Sequence, residues 1–216
     1  MNQLNAFVHI IESPNDIDIL EGTRQGLALG ESLGLAKIPY CYNLVTTKQS
    51  FKIALYQRLS QAMNDYPAHF PILHFTMHGN QKGIQLTNET FITWLELYNY
   101  LMPIKQQIKQ QYDASLLICM SSCYGSFASS MAQNQYYSSF NFLVGNKNEV
   151  FWNDATVAYI TFYHFLFKNN RSIYDCVERM KLASDNNDFE LWNGEEMRNV
   201  YIYNKIQQQL EALQRY

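Results

Sequence analysis

Two stretches decide how this chain folds: HFTMHGN, from His74 to Asn80, and ICMSSCYG, from Ile118 to Gly125. Each is an apolar, strand-like run that ends in a reactive side chain and a glycine. Continuous rather than alternating apolar residues mark strands covered on both faces, as in a parallel sheet. Such sheets gather functional groups beyond the carboxyl ends of their strands. His78 stands at the end of the first run, and Cys123 follows 45 residues later at the end of the second. Neighbouring strands lie about 5 Å apart, so adjacent tips would bring imidazole and thiol within reach of proton transfer.

Working outward, the remaining elements fit a β-α-β-α-β-α-β-α-β order with helices at the end. Phe7–Ile11 reads as the first strand and Glu12–Asp18 as a loop. Residues 21–36 read as a helix with Gly22, Gly26, Gly30 and Gly34 on one face, where another backbone could approach. Tyr40–Val45 is the second strand, and Thr46 or Thr47 caps a helix to about Asn64. Pro71–Met77 is the third strand, with a short hairpin arm at Gly83–Leu86. Thr87 or Asn88 is the expected cap of the next helix, and residues 103–113 read as another helix. Ser115–Met120 and Phe140–Val144 are the last two strands. A helix begins near Phe127, others cover residues 155–167 and follow Ser172, and the last runs from about 194 to 213. This order predicts an α/β fold with a mostly parallel central sheet and helices on both faces.

The 216 residues fit one domain, 1–216, with a core that needs no staples. The C-terminal helix would pack on that core or on a partner. Apolar residues make up 47% and charged residues 16%, with 16 tyrosines and 13 phenylalanines, so disorder is excluded. The net charge of -3 and the absence of a basic tract leave nucleic-acid binding without electrostatic support. The N-terminus lacks the charged and apolar regions of a signal peptide, and no apolar run approaches the ~18 residues of a membrane span. Four cysteines in a domain of this size read as thiols of a reducing compartment, so the expectation is a cytoplasmic protein.

His78 and Cys123 are the candidate reacting groups. A free thiol is mostly protonated near neutral pH, and a base or a helix N-terminus beside it raises the thiolate fraction. Gly79 lets the chain turn sharply and expose an N–H. That group and the Cys123 N–H could hold an oxyanion. Cys119, between Ile118 and Met120, reads as core, as does His74. A zinc site fails on distance, because strand positions four apart are separated by about 13 Å. No G-x-S-x-G, G-x-x-x-x-G-K-[ST] or G-x-G-x-x-G motif occurs. Neither a metal nor a cofactor is expected.

His78-Gly79 after an apolar strand, followed by Cys123-Tyr124-Gly125, resembles the caspase-like cysteine peptidase clan, and most of all its bacterial CHAT-domain members. The spacing of the two motifs is one that caspases are known to have. The likeness runs from Phe7 to about Phe167 and implies a three-layer caspase-like sandwich. It further implies cleavage of a protein or peptide substrate, with Cys123 attacking the scissile carbonyl and His78 protonating the leaving amine. No third catalytic acid is required in this clan, and the sequence offers no obvious one. Ser121 takes the place of the caspase glutamine, and residues 12–21 hold no arginine, which argues against aspartate at P1. Asp154, Glu149 and Asp16 are the acids available for a basic P1. The resemblance also implies a separately encoded sensor or effector protein and a link to antiviral defence. The competing reading is a catalytically silent adaptor or regulatory module of the same fold.

Overall fold

The computed structural model describes residues 4–133, 136–169 and 171–213; the 1–216 domain reading extends over residues outside that set. Eight strands form the sheet: β1 (Ala6–Ser13), β2 (Tyr40–Leu44), β3 (Phe70–Asn80), β4 (Gly83–Gln85), β5 (Phe91–Thr93), β6 (Leu117–Ser121), β7 (Phe142–Asn146) and β8 (Phe189–Asn193). The main order is β2-β1-β3-β6-β7-β8, with β4 and β5 forming an arm off β3. Every pair from β2 to β7 is parallel, whereas β8 runs antiparallel to β7. The α/β fold with a mixed sheet and flanking helices is broadly consistent with the expected caspase-like sandwich.

Helices cover both faces. On one side lie α3 (Lys48–Lys52), a π-helical turn (Ile53–Arg58), α4 (Leu59–Asp65) and α5 (Trp94–Tyr112). Their Phe51, Leu55, Leu97, Leu101 and Ile108 pack on Phe7, Ile11, Leu73, Phe75 and Ile118 of the sheet. On the other lie α2 (Gln25–Leu35), α7 (Trp152–Lys168) and α8 (Ile173–Ser184). Here Leu29, Leu33, Tyr159, Phe162, Tyr163 and Met180 pack on Val8, Ile10, Ile72 and Cys119. Successive strand residues face opposite layers, and so both faces of these strands read as apolar in sequence. The short α1 (Asp16–Leu20) follows β1 at the carboxyl end of the sheet, and α9 (Gly194–Leu213) packs against α6 (Ser130–Gln133) and β8.

Several expectations need correction. Residues 16–20 form α1 rather than loop, because Asn15 and Asp18 make a reciprocal capping box. The cap of α5 is Thr93, not Thr87 or Asn88, since residues 91–93 pair with β4 as a strand. Residues 189–193 add β8 where no strand was expected. The α2 glycines do not admit a backbone. A Cβ on Gly30 would fall 2.8 Å from the Tyr40 ring, and one on Gly26 would fall 3.0 Å from the Glu12 side chain.

Two histidines are enclosed in this core. His74 is fully buried and hydrogen-bonds the Tyr163 hydroxyl through Nδ1 at 3.1 Å. His9 is fully buried and donates from Nε2 to the Ala54 carbonyl at 3.0 Å. Burial pushes His74 down to about 3 and His9 down to about 4. Both are neutral in the folded protein, while the unfolded chain takes up protons below about pH 6.5. The stability they allow is therefore present above pH 6.5 and lost as the pH falls toward 4. Urea unfolding at pH 7 and at pH 5 should differ by roughly 2 kcal/mol per histidine at most. A His74→Gln variant should show the smaller difference, and equal slopes for the two proteins would refute the assignment.

Candidate active site

β3 and β6 carry His78 and Cys123 to the carboxyl end of the sheet. β3 and β6 pair in parallel, with His74 opposite Cys119 and Thr76 opposite Ser121. Continuing that register by two residues places His78 opposite Cys123. The expected end of β3 at Met77 is corrected, since the strand runs on to Asn80 because its tip pairs with β4, His78 opposite Gln85 and Gly79 opposite Ile84. His78 therefore sits in a paired strand, which fixes its backbone more firmly than a loop would. A Cβ on Gly79 would fall 3.0 Å from the Cys123 carbonyl oxygen and 3.2 Å from Ser122 Cβ. The two motifs touch through that glycine.

The turn after Cys123 is tight. Tyr124 adopts a left-handed backbone at φ 58, a conformation costly for a non-glycine residue. It is held by its N–H donating to the Asn148 carbonyl at 2.9 Å and by Gly125 N–H donating to the Ser122 carbonyl at 3.1 Å. Gly125 is needed for contact, since a Cβ there would lie 2.6 Å from the Met120 carbonyl oxygen. The helix expected from Phe127 is a 3-10 turn over Gly125–Ser129 running into the four residues of α6. A helix this short has little macrodipole to offer the thiol, which corrects that part of the sequence reading.

No hydrogen bond joins the two side chains among the described contacts. The Cys123 thiol donates to the Val150 carbonyl at 3.8 Å. His78 Nε2 lies 2.7 Å from Asp18 Oδ2 and 3.0 Å from Asn15 Nδ2. The Trp152 indole packs edge-on to the imidazole at 5.2 Å and donates from Nε1 to Asp18 Oδ1 at 3.3 Å. Asn15, Asp18 and Trp152 were missed in the sequence. The one available signal was the N-x-x-D spacing of Asn15 and Asp18 after Pro14, a helix-start pattern that places an acid in the first turn.

The other cysteines are set apart by burial, which raises the Cys41 thiol and pushes Cys119 up to about 12 and Cys176 up to about 11. Cys119 is core, as expected. The remaining site candidates are dispersed. Ser121 is buried, its hydroxyl donating to Gln25 Oε1 at 3.0 Å. Asp16 lines a cleft of about 470 Å³ together with Asn15, Ile17, His78, Gly79 and Glu89. Glu149 is exposed, 3.5 Å from the Tyr124 hydroxyl. Asp154 is half-buried in the first turn of α7. The structure thus gathers His78, Gly79 and Asp16 about one cleft, and Glu149 beside the turn after Cys123. No group of three or more metal-ligating side chains occurs among the described residues, and none of their helices is long and apolar enough to cross a membrane.

Among solved structures, the chain is similar to a secreted C11 cysteine protease from Bacteroides thetaiotaomicron, determined in complex with an irreversible peptide inhibitor. The match has a TM-score of 0.58 at 11% identity and covers 90% of this chain and 67% of that one. The chain shares that protease's fold. No family model and no curated protein matches the sequence. At this identity the likeness is one of fold alone.

Gly145 on β7 supports the turn from behind. A Cβ there would lie 2.6 Å from Gly125 C and 2.7 Å from Ser126 N, both backbone atoms that cannot swing aside. Gly145→Ala should destabilise the protein by roughly 1–3 kcal/mol in urea unfolding. Gly34→Ala meets only the Tyr40 ring at 3.3 Å and removes a helix-interior glycine worth about 1 kcal/mol, so it should be neutral or stabilising. The reverse ranking would show that the turn is not packed as described.

Proposed function

We propose that the chain is a cysteine endopeptidase in which Cys123 is the nucleophile and His78 handles the protons. The observation that carries this reading is the contact of Gly79 with the Cys123 carbonyl across the β3–β6 pair. It sets the histidine-glycine end of β3 against a cysteine turn, in a chain whose fold is similar to that of a known cysteine protease. Protease and hydrolase activity is in keeping with that fold, as is a protein or peptide substrate.

In this mechanism Cys123 Sγ bonds to the scissile carbonyl carbon and its proton passes to His78. The Gly79 and Cys123 N–H groups hold the oxyanion. The C–N bond then breaks, and His78 gives the proton to the leaving amine. A thioester remains, and water attacks it, passing a proton through His78 as the thiol leaves. The preferred P1 residue is basic. Asp16 and Glu89 support this, because they line the cleft beside His78 with no lysine or arginine in its described lining. Glu149 lies beside the turn after Cys123, through the Tyr124 hydroxyl, Asp154 stands in the first turn of α7, and Ser121 is taken up by its bond to Gln25. The thiol's contact with Val150 favours a resting form that a separately encoded sensor or effector protein would release.

Peptidyl acyloxymethyl ketones with lysine, arginine, aspartate or leucine at P1 test this directly. The expected result is one adduct, mapped to Cys123, formed fastest with the basic probes. Cys123→Ala should give no adduct, and His78→Ala should slow labelling about 10²- to 10⁴-fold. Labelling of another cysteine, or an undiminished rate without His78, would overturn the reading.

A further inference from the structure

Asp18 is held from three directions. Its Oδ2 accepts the Asn15 backbone N–H at 3.0 Å, its Oδ1 accepts the Trp152 indole N–H at 3.3 Å, and its own N–H donates to Asn15 Oδ1 at 2.7 Å. Its side chain is 13% exposed, against 36% for His78. A carboxylate fixed in this way cannot swing off to solvent as a surface acid does. It presents Oδ2 to His78 Nε2 at 2.7 Å. Resting on the reading of Cys123 and His78 as the reacting pair, we propose that Asp18 is a positioning residue that holds the His78 imidazole in its Nε2–H tautomer, leaving Nδ1 as the nitrogen that exchanges protons.

The chemistry follows from what each atom can do. A carboxylate only accepts, so a bond to it requires the hydrogen on Nε2. Neutral imidazole carries a single N–H, and Nδ1 is then a free acceptor. Asn15 pulls the other way. Its Oδ1 is taken by the Asp18 N–H, so the amide nitrogen 3.0 Å from Nε2 is a donor, which favours hydrogen on Nδ1. The two cannot both bond to one nitrogen. A hydrogen bond to a charged acceptor is roughly twice as strong as a neutral one, and the Asp18 contact is also the shorter. Trp152 closes the edge of the ring and keeps the imidazole from turning toward solvent. Asp18 thus does more than cap α1, a task that its bond to Asn15 N would accomplish alone.

Asp18→Asn keeps the shape and an oxygen for the cap while removing the charge. The test uses the full chain labelled with ¹⁵N-histidine, with His78 assigned by its loss in His78→Gln. Long-range ¹H–¹⁵N spectra in alkaline buffer should show hydrogen on Nε2 in the wild type and a shift of population toward Nδ1–H in Asp18→Asn. Alkylation of Cys123 by iodoacetamide, followed by peptide mapping, should slow about tenfold or more in the same variant, with an unchanged melting temperature. A wild-type Nδ1–H tautomer would overturn the proposal. So would an unchanged alkylation rate in Asp18→Asn alongside the altered tautomer. If His78→Gln leaves alkylation as fast as in the wild type, the reacting pair itself is wrong and the positioning role falls with it. The tautomer spectra tell that failure from the others.

Discussion

The parallel pairing of β3 with β6 is the constraint on which the rest depends. Leu73 lies opposite Ile118, His74 opposite Cys119, Phe75 opposite Met120 and Thr76 opposite Ser121. Alternate residues go to opposite layers, so a slip by one residue would turn every side chain to the wrong face. Such a slip would bring His74 and Thr76 into the layer that holds Phe51 and Leu97, and would turn Phe75 toward α7. The large apolar residues on both faces thus lock the register, and the register alone sets His78 across from Cys123. The position of the site is a consequence of core packing some way from it.

This dependence explains what could be read from the sequence. The strands β1, β3 and β6 are continuous apolar runs, and their pairing order follows from the alternation of strands with helices. The histidine-glycine and cysteine-x-glycine motifs are local, so they too were visible. β8 was not. Its sequence FELWN carries Glu190 among apolar residues and becomes a strand only because β7 offers it an edge. Glu190 itself bonds the Ser126 hydroxyl, which in turn accepts the Trp192 indole N–H at 2.7 Å. Those contacts tie β8 to the turn after Cys123, and none is local in sequence. Asp18 was hidden for the same reason. An acid in a loop acquires meaning only when α1 is capped and Trp152 arrives from 134 residues away.

Polar groups are buried around the strand ends. His74 Nε2, Thr76 Oγ1, Gln25 Nε2 and Ser122 Oγ have no protein partner. Each costs about 1–3 kcal/mol when left dry, and a water bridging them would need two to four polar contacts. His74 and Thr76 lie on β3, Ser122 follows β6, and Gln25 bonds Ser121 at the end of β6. Apolar residues at these positions would give a more stable sheet. Stability is given up close to the site, where strained and polar positions cluster, and is recovered in the layer of Phe51, Phe75 and Leu101.

The segment 150–152 joins the two halves of the site. Val150 offers its carbonyl to the Cys123 thiol, and Trp152 reaches both His78 and Asp18. Phe151 between them is 77% exposed and supplies no side-chain cap to α7. Val150 and Trp152 therefore hold the thiol and the imidazole's partner from one short segment. The thiol contact at 3.8 Å is the weaker of the two holds, since sulfur is a poor donor, and the carboxylate contact is the stronger. Whatever shifts the start of α7 would free the thiol before it disturbed the histidine.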